Sequence, residues 1–132
     1  MITNRFIDHA CEGAPAVGIG IDPPPASSSY KLWVDGGIAA REVKVTIQNF
    51  PDYVFNENYP LTTINELEKY ILKEKHLPGI PSSDDVKKNE GFEIGIMQTK
   101  LLEKIEEQTL YIISLQKQLN ELRKKIGELG KD

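Results

Sequence analysis

The residues 94–132, IGIMQTKLLEKIEEQTLYIISLQKQLNELRKKIGELGKD, decide how the chain must be built. Setting Leu101 at heptad position d puts Gln98, Ile105, Ile112, Leu119 and Ile126 at a, and Ile94, Gln108, Leu115, Leu122 and Leu129 beside Leu101 at d. Nine of these eleven positions are apolar, and Gln98 and Gln108 are the exceptions. A stripe repeating every 3.5 residues is the seam of a coiled coil, here about five heptads and roughly 50 Å long at 1.5 Å per residue. No second helix of comparable length exists to cover it, so its partners are expected to be other copies of the chain. Ile at a with Leu at d favours a parallel dimer. Leu102 and Thr109 at e, with Met97 and Tyr111 at g, widen the apolar face toward three strands. Leu110 and Ile113 lie further round, which predicts a helix clothed by other parts of the chain over 94–113 and bare over 114–129.

Upstream of this helix, composition changes. The stretch 61–93 reads as short helices and loops. Thr63-Ile64-Asn65-Glu66 has the form of a capping box and is followed by an apolar stripe of Ile64, Leu67, Tyr70 and Ile71. His76-Leu77-Pro78-Gly79 should end that helix. Ser82 or Ser83 can cap a second, polar one over Asp84–Asn89, stopped by Gly91.

The stretch 16–60 reads as a β-rich segment with short strands. Ala16–Ile21 places Val17, Ile19 and Ile21 on one face, with Gly18 and Gly20 between them where backbones approach closely. Asp22–Ser29 (DPPPASSS) is an extended linker that neither a helix nor a central strand can contain. Tyr30–Val34 then meets Asp35-Gly36-Gly37, which predicts a hairpin into a half-buried strand containing Val43, Val45 and Ile47. Phe50–Pro60 concentrates Phe50, Tyr53, Phe55 and Tyr59. Base stacking needs a cationic groove, and only Asp52 and Glu57 accompany these rings, so packing is the expected role. Residues 1–15 are expected to be an anchor or junction. The fold class is therefore α+β, with a long C-terminal helix forming a parallel coiled coil.

The chemistry of the chain is sparse. Its 132 residues carry 16 Lys+Arg against 20 Asp+Glu, a net charge of −4, which argues against a nucleic-acid partner. His9-Ala-Cys11 offers two zinc ligands with no second pair downstream, and His76 sits where it would meet a helix dipole. Glu103, Glu106, Glu107, Asp84 and Asp85 read as solvated helix faces. No nucleophile, phosphate loop or metal cluster is recognisable, so no enzyme activity, cofactor or metal is expected. Nothing approaches the ~18 apolar residues of a spanning helix, so no membrane insertion is expected. MITNRFIDHACEG lacks the apolar run of a signal peptide, which predicts a protein made in the cytosol and not exported by the general secretory route.

The runs VGIGIDPP (17–24) and YKLWVDGGIAAREVKV (30–45) resemble a segment of bacterial and phage tail-fibre-domain proteins. PDYVF (51–55), HLPGIPSSDDV (76–86) and GIMQTKLLEKIEEQTLYIISL (95–115) resemble the C-terminal region common to such proteins in Bacteroidota. The likeness spans roughly residues 16–126. Asp35-Gly36-Gly37 stands where the family more often has Asn-Gly-Thr, 15 residues precede the likeness in this sequence where the family usually carries a repetitive shaft, and the Ser–Lys pair of self-cleaving fibre chaperones finds no counterpart. The resemblance implies a homotrimeric fibre or spike of a phage tail or phage-tail-like contractile injection particle, assembled in the bacterial cytoplasm. Partners would be other tail, baseplate or fibre proteins, engaged through residues 1–15. The alternative is an adhesin tip at the virion or cell surface, with Tyr53, Phe55 and Tyr59 as a candidate platform for a cell-surface glycan.

Overall fold

The computed structural model describes residues 16–21, 29–47 and 50–130. The 1–15 segment, His9 and Cys11 included, and the proline run Pro23–Pro25 lie outside the described residues. Contacts divide the chain into two units, one up to Val43 and one from Lys44.

In the first unit, β1 (Val17–Ile19) pairs in parallel with β2 (Leu32–Val34), with Val17 opposite Leu32, Gly18 opposite Trp33 and Ile19 opposite Val34. Val17 N donates to the Lys31 carbonyl at 2.8 Å, and Asp35 N donates to the Ile19 carbonyl at 2.9 Å. The close approach expected at the alternating glycines is present: Gly20 has φ +71°, and a Cβ there would stand 3.3 Å from the Asp35 carbonyl oxygen. Tyr30 and Trp33 meet edge to face, their ring centroids 5.7 Å apart.

The expected hairpin at Asp35-Gly36-Gly37 does not form. Asp35 gives its amide back to β1, so β2 takes a parallel partner from upstream instead of an antiparallel one from downstream. Residues 38–47 form no strand, and Val43, Val45 and Ile47, expected on the buried face of one, are all exposed along with the residues between them. Two three-residue parallel strands with open edges are far below the size at which a sheet is stable alone.

The second unit is helical. Pro51–Phe55 forms a 3₁₀ helix whose Pro51 and Val54 are buried, Val54 to 1% exposure. Helix α1 (Ile64–Glu74) starts on the expected capping box: Thr63 Oγ1 accepts from Glu66 N, and Thr63 N donates to Glu66 Oε2. It ends at Lys75, in the left-handed region at φ 63°, one residue before the His-Leu-Pro-Gly run. Helix α2 (Ser83–Lys88) repeats the device with Ser82 and Asp85. At its end Gly91 N bonds the Val86 carbonyl and Glu90 N the Lys87 carbonyl, a Schellman closure with Glu90 at φ 55°.

Helix α3 (Ile94–Leu129) is a single run of 36 residues, about 54 Å long. The 3₁₀ helix packs on it. Gly95, in its first turn, permits a contact that no other residue would: a Cβ there would lie 2.8 Å from Val45 Cγ1 and 3.3 Å from Ile47 Cγ2. Two of the three residues expected to build a strand, Val45 and Ile47, instead lean on the start of α3. Among the described residues the architecture is thus mixed: two short parallel strands, a 3₁₀ helix and three α-helices, of which the C-terminal one is far longer than the rest.

Candidate functional site

The faces of α3 are treated unequally by the rest of its own chain. Positions Thr99, Lys100, Glu103, Lys104, Glu106, Glu107 and Tyr111 are partly or wholly covered. Every a and d position from Ile94 to Leu129, Gln98 and Gln108 included, is exposed. Ile105 retains 57% of its surface, Ile112 65%, Leu115 58% and Ile126 61%. From residue 112 onward the helix is exposed on all sides, which agrees with the division expected between a clothed upper half and a bare lower half.

What covers the upper half is aromatic and carboxylate chemistry together. Tyr53 Oη donates to Glu103 Oε2, Tyr59 Oη to Glu107 Oε1 at 2.5 Å, and Tyr111 Oη to the Thr62 carbonyl at 2.5 Å. Lys104 Nζ bridges Glu103 Oε1 at 2.9 Å and Glu107 Oε2 at 2.8 Å. Glu103 and Glu107 sit on heptad positions f and c, away from the seam, while Lys104 and Tyr111 sit on g at its flank, so the group clamps the 3₁₀ helix and the following loop to the back and one side of α3.

Electrostatics follow from this clamp. The hydrogen bond to Glu103, with burial added, pushes the Tyr53 hydroxyl up to about 12. Burial, and then the Glu107 hydrogen bond, raises Tyr59 further. Burial pulls the Glu103 carboxyl upward, but the Tyr53 hydroxyl and the Lys104 ammonium together hold it below its ordinary value. Lys104 is raised, because Glu107 and Glu103 outweigh the opposing burial.

The expectation that Glu103, Glu106 and Glu107 are solvated is therefore overturned. Their face is covered by aromatic residues some fifty positions upstream, a distance at which helix periodicity carries no information. Glu106 departs furthest: it is only 8% exposed, and its Oε2 has no hydrogen-bond partner. Burial, then the nearby charges of Asp52 and Glu103, lifts its pKa. Asp84 and Asp85 stay exposed on α2, as expected.

Of the three aromatic residues considered for surface binding, Tyr53 and Tyr59 spend their hydroxyls inside the chain and stand 6.0 Å apart, while Phe55 is exposed. His76 lies past the end of α1, its ring edge-on to Tyr70 at 5.7 Å and its Nδ1 3.0 Å from the Leu77 carbonyl oxygen. Among the described residues, no group of three or more His, Cys, Asp or Glu is placed to hold a metal ion. Nor, among them, is any helix long and apolar enough to cross a membrane. No protein family, curated protein or solved structure matches the chain. What the described residues do present is an exposed a/d stripe on α3, and the chemistry available to it is apolar association.

Proposed function

We propose that the chain is a structural fibre or spike protein that trimerises through the a/d seam of α3 and serves in a phage tail or phage-tail-like contractile injection particle. The observation that carries this reading is the asymmetry of α3: its own chain covers the polar back and leaves the apolar seam open. Nine apolar side chains lie along that seam. Burying the exposed part of each contributes roughly 1 kcal/mol, or about 10 kcal/mol per chain. Three chains together contribute roughly 30 kcal/mol, against ~4–15 kcal/mol for each of the two association steps of a trimer, so the stripe exceeds the cost over most of that range.

The thin parallel sheet supports the same reading, because strands this short with open edges call for neighbours. The particle context rests on the resemblance of residues 16–126 to tail-fibre-domain proteins, which also favours three strands over the two that Ile at a and Leu at d would select. Attachment to the particle would fall to residues 1–15.

Substituting Ile112→Asp together with Leu119→Asp tests the seam. Both side chains are exposed in the single chain, at 65% and 42%, so the fold of one copy should tolerate the change while the oligomer dissociates to monomers. An oligomer that survives both substitutions at micromolar concentration overturns the seam as the element that holds it.

A further inference from the structure

Beside the upper seam lies a groove of about 270 Å³, walled by Ile47 and Phe50 and floored by Leu101, Leu102 and Ile105. Phe50 is 58% exposed, although it neighbours the buried Pro51. Two floor residues, Leu101 and Ile105, are the d and a positions of the heptad stripe. A helix following that stripe at the usual 8–10 Å axial separation must pass over the groove and touch its walls.

We infer that this groove is a socket for the α3 helix of a second copy of this chain, so that Phe50 of each copy grips its neighbour from outside the seam. The inference rests on the proposed trimer and adds to it a contact that the heptads do not contain. Three observations favour another copy over a foreign segment. The floor is continuous with the stripe, which keeps its period for more than twenty residues below the groove. Gln98, the a position in the groove's own lining, has an amide that both donates and accepts; an in-register copy brings Gln98 against Gln98, whereas a purely apolar ligand would leave it unpaired. The e position in the groove is Leu102 rather than a charge, so no charged side chain lines it, and its polar lining residues are Gln98 and Thr99. In a cyclic arrangement each copy offers one socket and fills one, so the contacts close on themselves.

Two measurements test the socket. Sedimentation equilibrium over a concentration series compares the wild type with Phe50→Ala and with Phe55→Ala, an aromatic residue of similar exposure (55%) that does not line the groove. Phe50→Ala should raise the concentration for half-dissociation at least roughly tenfold, as loss of a central aromatic anchor does, and Phe55→Ala should leave it within about twofold. A photo-crosslinking benzoylphenylalanine at position 50, in mixed light and heavy copies, should join α3 of a different copy near residues 98–105. An oligomer whose Phe50→Ala variant dissociates like wild type, or whose position-50 link stays within one chain, overturns the socket and leaves the seam standing. A wild-type chain that is monomeric throughout overturns both.

Discussion

Removing one hydroxyl from the clamp behind α3 has a calculable consequence. Tyr59 donates to Glu107 Oε1 at 2.5 Å, and Glu107 keeps Lys104 on its other oxygen at 2.8 Å. Tyr59→Phe therefore removes a hydrogen bond to a charged acceptor without leaving that acceptor unpartnered. Hydrogen bonds of this kind contribute roughly 1.5–3 kcal/mol, and partial exposure places this one toward the low end, about 1–2 kcal/mol. In a unit of this size that lowers the thermal midpoint by roughly 5–15 °C. The effect has a pH signature as well. Because the folded chain raises the Tyr59 pKa, the contribution is fully present below the unfolded value of about 10 and is lost as pH rises through the folded value. Urea unfolding followed by helical circular dichroism, at fixed protein concentration, should show the wild-type advantage at pH 7 shrinking as pH rises above about 10. A variant within about 0.3 kcal/mol of wild type at pH 7, or a gap that does not change with pH, would refute the clamp as an energetic feature.

Two further substitutions probe the same region. Glu106→Gln removes a buried carboxylate whose Oε2 has no partner, so the variant should unfold at a higher temperature than wild type at pH 7. The raised folded pKa means that wild type recovers as pH falls and Glu106 takes up its proton, so the advantage should vanish toward pH 4, and an equal advantage at both pH values contradicts this. Gly95→Ala sets a helix-propensity gain of at most ~1 kcal/mol, reduced in the first turn, against overpacking of ~1–3 kcal/mol on Val45 Cγ1 at 2.8 Å. The net should be a loss of about 1 kcal/mol in urea unfolding, restored when Val45→Ala is added.

Local signals in the sequence located the helical elements well. Thr63 with Glu66 forms the capping box its spacing indicates, and of the two serines that could cap the second helix, Ser82 does so, with Asp85 closing a box that the expected cap alone does not include. The heptad run 94–129 is long enough that no alternative to a helix competes. Readings that depend on distant partners fared differently. Asp35-Gly36-Gly37 is a good hairpin turn in isolation, yet β1 claims Asp35, and nothing in the local sequence encodes that competition. Glu103 and Glu107 look like an ordinary charged helix face until Tyr53 and Tyr59 arrive on it. The spacings differ, six residues from Tyr53 to Tyr59 and four from Glu103 to Glu107, so the sequence carries no periodic trace of the clamp. Gly95 carried no signal, because a glycine in a first helical turn is common and its reason lies in Val45 and Ile47.

The central claim is that the seam of α3 joins three copies of the chain. Its most direct test is the mass of the intact protein in solution, by sedimentation equilibrium or light scattering at micromolar concentration. With a chain of 14.9 kDa, the account predicts a particle of about 45 kDa that persists on dilution through that range. A mass of about 30 kDa would contradict the three-stranded arrangement, and a mass near 14.9 kDa at every concentration would contradict association through the seam altogether.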